Sequence, residues 1–202
     1  MTLDAYAIAY TAHHGDFRKI QGEEFFTHPY AVADIAAQHM NPHGNPSAEE
    51  VEYAHVVGIL HDMLDMKRSR ENFPFGEVSR RFKPEHTRGV LAVSMTLEPL
   101  GWHGQRWEYL GRTHREREPR IQVMRSADKI HNLDRATVEL DLVGPEFWSR
   151  FKGGRQGYIW WPGAVYAAIK KTHLIDDNDI LDRFAQSIDD FSQMVKKIDE
   201  AA

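Results

Sequence analysis

The sequence contains no cysteine. Disulfides, thiolate metal sites and cysteine nucleophiles are excluded, and any metal site must be built from imidazole and carboxylate. The absence fits a reducing compartment. There is no basic excess either: Lys and Arg number 25 against 30 Asp and Glu, a formal net charge of -5. A general nucleic-acid binder needs a basic face for phosphates, so none is expected, although a local basic pocket stays compatible with this charge. No apolar run approaches the roughly 20 residues that span a bilayer. Met1 to Tyr10 lacks the basic-then-apolar pattern of a signal peptide. Strand-like alternation, internal repeats and low-complexity segments are missing too. The expectation is a cytoplasmic protein with no membrane or nucleic-acid partner.

What is present is ordinary for a globular chain. The 202 residues are 42% hydrophobic and 27% charged, values that predict one domain over residues 1–202 with an ample core. The 12 histidines are many for this length.

The patterning is helical almost throughout, so an all-α fold is expected. Leu3, Ala7, Ile8 and Ala12 form a helix-like stripe with Gly15 as a stop. A polar loop, Asp16 to Glu24, carries Arg18 and Lys19. Thr27 is a candidate N-cap with Pro29 just inside the next helix. Ser47 and Glu50 have capping-box spacing. The run Gly58 to Leu64 is apolar on nearly all sides except at His61-Asp62, which marks a central helix. Pro84 separates two short helices, Phe75 to Phe82 and Glu85 to Met95. Residues Gly101 to Pro119 read as a poorly packed helix or lid. A strong helix covers Ile121 to Leu140. Gly153 to Gly157 reads as a loop, and Val165 to His173 and Asp179 to Ile198 as helices.

His61-Asp62 is the chemical centre of the sequence. On a helix, neighbours point about 100° apart, so both can reach one ion at the helix edge. An isolated His-Asp dipeptide is far more often a simple hydrogen-bonded or exposed pair, and context has to carry the metal reading. His28 at a helix start and Asp128 inside a second apolar helix supply that context. Together the residues offer four N/O ligands, a set that suits Mn, Fe, Zn, Co or Mg and metal-assisted hydrolysis.

His28, His61-Asp62 and Asp128, in this order, resemble the metal signature of HD-domain phosphohydrolases. Phe17-Arg18-Lys19-Ile20-Gln21-Gly22-Glu23, Thr27-His28-Pro29-Tyr30, Ile59-Leu60-His61-Asp62-Met63-Leu64-Asp65 and Arg125-Ser126-Ala127-Asp128-Lys129-Ile130-His131-Asn132-Leu133 are similar to the hydrolase domain of RelA/SpoT-type proteins. That group includes small hydrolase-only and Mesh1-like forms. The likeness is strongest over residues 12–137. It implies a compact multi-helix HD-domain fold, a divalent metal, foremost Mn2+ with Fe, Zn, Co, Ni or Mg as alternatives, and removal of 3′-pyrophosphate from (p)ppGpp. It implies that Arg18 and Lys19 contact the purine base and Asn132 the nucleoside. Lys129, beside Asp128, is a candidate for phosphate contact by its charge, and Asp65 keeps a carboxylate that can orient or deprotonate the attacking water. The family usually has His-Asp-x-x-Glu-Asp; here the last two positions are Asp65 and Met66. A non-catalytic metal- and nucleotide-binding regulatory module therefore stands as the alternative, as does a hydrolase shifted to NADPH, dNTPs or other nucleotides. Lys67, Arg68, Arg70 and Arg125 are further candidates for phosphate contact. His131 reads as packing more than as a partner of the site. Trp148, Phe151, Tyr158, Trp160 and Trp161 read as core, with Tyr158 the member best suited to stack on a base.

Overall fold

The computed structural model describes residues 1–20, 22–64, 75–95 and 99–201. The roles expected of Asp65, Met66, Lys67, Arg68 and Arg70 fall outside the described residues. Within them the chain is all-α, as the sequence predicts: α1 (Thr2–His13), α2 (Thr27–Gln38), α3 (Ala48–Leu60), α4 (Phe75–Arg81), α5 (Pro84–Val93), α6 (Trp102–Arg115), α7 (Pro119–Val143), α8 (Gly154–Lys170) and α9 (Ile180–Glu200). Two 3-10 segments, His61–Leu64 and Gly144–Arg150, continue α3 and α7. The single isolated β-bridge among the described residues joins Phe17 to Glu24 and closes the Arg18-Lys19 loop. No described helix is long and apolar enough to cross a membrane.

Several boundaries have identifiable causes. Ser47 Oγ accepts from the Glu50 amide at 3.2 Å and Glu50 Oε2 from the Ser47 amide at 2.7 Å, the reciprocal capping box expected. Pro84 and Pro119 each occupy the first helical position, where a missing N–H costs nothing. Thr27 does not cap α2. It lies inside the helix, and its hydroxyl donates back to the Glu24 carbonyl at 2.9 Å.

Two other elements differ from expectation. The buried face of α1 is Ala5, Ile8, Ala9 and Ala12, while Leu3 is 85% exposed. Alanine carries little hydrophobic signal, and the larger Leu3 misplaced the stripe. Residues 154–170 form one helix despite Pro162 in its interior, so Gly154 to Gly157 is a first turn rather than a loop. Pro162 deprives the Tyr158 carbonyl of a helical donor, but packing on α6 and α9 holds the helix.

The core forms between α2, α3 and α7, with α9 along α7, α1 against α3, and α6 against α8. Val32, Ala33 and Ala36 of α2, Val56, Val57 and Leu60 of α3, and Met124, Ala127 and Leu133 of α7 are almost fully buried. At about 25 cal/mol per Å2 of apolar surface, such burial is the main stabilising term for a domain of this kind. The helices α2 and α3 cross closely at Gly58, where an added Cβ would lie 2.7 Å from Ala33 Cα. That crossing brings the start of α2 to the end of α3.

Candidate metal centre

The site lies where three elements converge: the first turn of α2, the 3-10 turn after α3, and the middle of α7. The α-helix of α3 stops at Leu60, so His61 and Asp62 occupy a tighter turn than the continuous helix expected. At three residues per turn, neighbours fan out by about 120°, and both side chains still reach the same spot. His28, His61 and Asp128 have ligand atoms within 4.8 Å of one another. Asp62 brackets the two imidazoles: its Oδ2 is 3.3 Å from His28 Nε2, and its Oδ1 is 3.3 Å from His61 Nε2. Asp128 Oδ1 is 3.3 Å from His28 Nε2 and 3.8 Å from His61 Nε2.

Each candidate ligand is oriented from behind. His61 Nδ1 donates to the Gly58 carbonyl at 2.7 Å, which leaves Nε2 facing the cluster. That Nε2 is buried and makes no hydrogen bond. His28 Nδ1 lies 2.7 Å from His131 Nδ1. His131 is therefore a partner of the site rather than mere packing. Asp128 receives the Asn132 amide on Oδ1 at 2.6 Å and the Lys129 ammonium on Oδ2. Hydrogen bonds of this kind fix the rotamers and tautomers of metal ligands.

The electrostatics follow. Burial alone would lower the His61 pKa, but Asp62 and Asp128 outweigh it and raise it to about 9. Burial opposes ionisation of Asp62, yet His61 and His28 draw its pKa down to about 2. Burial likewise opposes ionisation of Asp128, and Lys129, His28 and His61 hold it well below the carboxylate range. Burial, His28 and Arg18 push His131 down to about 3, so it stays neutral. The buried Asp128 and half-buried Asp62 carboxylates face two Nε2 atoms, one of them without a hydrogen bond, and form a donor set that fits a divalent cation.

The cluster forms one side of a cavity of about 350 Å3. Arg18, Lys19, Lys129 and Asn132 all line it, so the structure gathers every described residue assigned to the nucleotide. The bonds of Lys129 and Asn132 go to Asp128, which gives both an orienting part as well. Arg125, a candidate for phosphate contact, does not line the cavity. It is 1% exposed and donates to the Ala92 carbonyl at 2.7 Å and to Gln122 Oε1 at 3.3 Å. Its task is structural, tying α7 to the end of α5.

The aromatic residues divide. Trp148 packs edge-on against Phe191 in the core. Phe151, Tyr158 and Trp161 also line the cavity. Sequence reasoning missed Arg106, which joins them from α6 and stacks over Trp102 and Trp161 at 4.5 and 5.5 Å. Segment 101–119, read as a lid or a poorly packed helix, is thus a docked wall of the site. Arg112 fastens it by donating to the carbonyls of Leu91, Ala92 and Ser94.

The chain is all-α, and two histidines and two aspartates from three elements converge at one spot. The sequence matches no family model. The fold is similar to that of a metazoan ortholog of SpoT that hydrolyzes ppGpp and plays a role in starvation responses. That likeness has a TM-score of 0.68 at 19% identity and covers 95% of this chain and 93% of that one. It is also similar to the crystal structure of lmo0812 from Listeria monocytogenes EGD-e, with a TM-score of 0.64 at 20% identity over 84% of this chain and 99% of that one. The fold is the one that the resemblance to HD-domain phosphohydrolases implies.

Proposed function

We propose that the protein is a metal-dependent phosphohydrolase of phosphorylated nucleotides, with (p)ppGpp losing its 3′-pyrophosphate as the leading substrate. The observation that carries this reading is the convergence of His28, His61, Asp62 and Asp128 beside a cavity that also presents Arg18, Lys19, Lys129 and Asn132. The order of the sequence motifs supports the substrate class. So does the fold likeness to a protein described as hydrolysing ppGpp.

His28, His61, Asp62 and Asp128 would hold the ion, Mn2+ by resemblance, with Fe, Zn, Co, Ni or Mg admissible for the same donors. When bound, a divalent ion polarises a phosphoryl oxygen and lowers the pKa of water. The chain does the rest. Gly58 and His131 orient the two imidazoles, and Lys129 and Asn132 orient Asp128. Arg18 and Lys19 hold the base or a phosphate through charge-assisted hydrogen bonds. Asp65 accepts the proton of the water that attacks phosphorus in line. Phe25, Phe151 and Trp161 line the cavity and limit competing water.

Metal content measured together with phosphate and pyrophosphate release tests the proposal. Wild type and Asp128→Ala are assayed with Mn2+ against ppGpp, NADPH, 2′- and 3′-nucleotides and dNTPs. Wild type should carry near-stoichiometric metal and turn over. Asp128→Ala should lose both, with activity down about 100-fold or more, beyond the usual effect of removing a partner behind a ligand. A wild type that binds no metal would overturn the reading. Turnover of NADPH or a dNTP alone would shift the substrate.

One observation favours a second reading, a non-catalytic binding and regulatory module: Met66 stands where the family usually has a carboxylate, and it can neither give nor take a proton. On that reading wild type binds metal and nucleotide without turnover, and Asp65→Glu with Met66→Asp gains hydrolysis.

A further inference from the structure

Asp128 and Lys129 are neighbours on α7, and neighbours on a helix point about 100° apart rather than toward each other. Even so, the Lys129 ammonium donates to Asp128 Oδ2, its one hydrogen-bond partner among the described residues. The flexible Lys129 stem has to bend back along the helix to reach that oxygen, and it has many other rotamers to choose from.

Two aromatic rings guide it. Tyr109 of α6 is fully buried, and Trp161 of α8 is half-buried at the cavity wall. Their rings meet edge to face, with centroids 5.4 Å apart at 63°. Lys129 Nζ lies 5.4 Å from the Tyr109 centroid and 5.8 Å from the Trp161 centroid. The three points make a nearly equilateral triangle, so the ammonium sits in the corner between the rings, within reach of a cation–π attraction from each. Arg125 and Arg112 also lie near the Tyr109 ring, at 5.2 and 5.4 Å, but backbone carbonyls anchor both of them. Lys129 depends on the rings instead. Burial would lower its pKa, but Asp128 and Tyr109 raise it, and the side chain stays a cation.

The effect reaches the candidate metal centre. With Oδ2 of Asp128 taken by Lys129, Oδ1 faces His28 Nε2 at 3.3 Å and His61 Nε2 at 3.8 Å. We infer that Tyr109 and Trp161 are positioning residues of the metal centre: their rings seat the Lys129 ammonium on Asp128 Oδ2 and so keep Oδ1 turned toward the histidines. The wall made by α6 and α8 thereby sets metal affinity without offering the ion a ligand. The inference rests on the metal reading of His28, His61, Asp62 and Asp128.

Mn2+ titration followed by the electron paramagnetic resonance of the free ion tests it. Tyr109→Leu, Tyr109→Phe, Trp161→Leu and Trp161→Phe are compared with wild type, each with Lys129 intact and with Lys129→Met. The ring variants leave the ammonium charge in place, so they alter where it sits rather than whether it is there. Tyr109→Leu and Trp161→Leu should each weaken Mn2+ binding about fivefold, less than the loss from removing a direct partner of a ligand. Tyr109→Phe and Trp161→Phe keep a ring and should stay within about twofold of wild type. In the Lys129→Met background the same substitutions should have no further effect. Trp161→Leu carries the test if loss of the buried Tyr109 ring unfolds the protein. Unchanged affinity in Trp161→Leu, or an equal loss with and without Lys129, would overturn the inference and leave the rings as packing. A second readout needs no metal. In the metal-free protein the Lys129 ε-methylene resonance, identified by its disappearance in Lys129→Met, should be shifted upfield by the rings and should lose that shift in Trp161→Leu. The shift in a protein that binds no Mn2+ would place the failure in the metal reading, whereas its absence would overturn the seat itself.

Discussion

A metal-ligating imidazole must present a lone pair, and its second nitrogen decides whether it does. With an ion on Nε2, His28 would carry its proton on Nδ1 and donate it to His131 Nδ1, 2.7 Å away. His131 must then be neutral, with its proton on Nε2, and its pKa of about 3, set by burial, His28 and Arg18, meets that condition. His131→Ala should remove the acceptor and weaken metal binding about 10- to 100-fold while the protein stays folded. Metal titration followed by circular dichroism checks this. Unchanged affinity would show that His28 needs no such partner. His61 makes a pH prediction for the metal-free protein. Its folded pKa of about 9 lies above the ordinary 6.5, after Asp62 and Asp128 outweigh burial. The stability linked to this proton is therefore fully present below pH 6.5 and is lost as pH rises through about 9. Melting temperatures of chelated protein should fall across that window. Metal uptake at pH 7.5 should release about one proton, which calorimetry in buffers of different ionisation enthalpy would detect.

At the level of elements, the site depends on how closely α2 and α3 approach. Gly58 is the contact, and its carbonyl also anchors His61. Gly58→Ala should press a methyl group onto the Ala33 backbone and cost about 1–3 kcal/mol, a typical overpacking penalty. In a chain of this length that is a fall of roughly 2–4 °C in Tm per kcal/mol, with metal affinity falling alongside. A variant as stable as wild type would show that the crossing can relax. The sequence revealed such elements unevenly. Ser47 with Glu50 announced a helix start and Pro84 a break between helices through local chemistry, and the structure keeps both. The first turn of α8 was hidden because its glycines and Pro162 argue against a helix. What overrides them is tertiary: the Trp102 ring on α6 occupies the space next to Gly157. His61, Asp62 and Asp128 were legible because polar residues interrupting apolar helices stand out, and His28 because it precedes them in the order of the motifs. Arg106 and the His131–His28 bond were not, because they depend on which helices meet.

Across the whole molecule, the candidate ligands join segments far apart in the chain. His28 opens α2, His61 and Asp62 follow α3, and Asp128 sits in the middle of α7, against which α9 packs. An ion held by all four would tie the core helices together, and the unfolded chain could not reproduce that arrangement. Ligand binding to the folded state alone stabilises by about 2.7 kcal/mol when the free ligand is at 100 times its Kd. Mn2+ should therefore raise Tm by roughly 5–10 °C over the chelated protein, given a shift of about 2–4 °C per kcal/mol for a domain of this size. Asp128→Ala should erase the metal-dependent part of that shift. This measurement separates structure from catalysis. A metal-dependent Tm with no turnover on any nucleotide would retain the centre and point to a binding module, whereas a Tm indifferent to Mn2+, Zn2+ and Fe2+ alike would remove the metal centre itself.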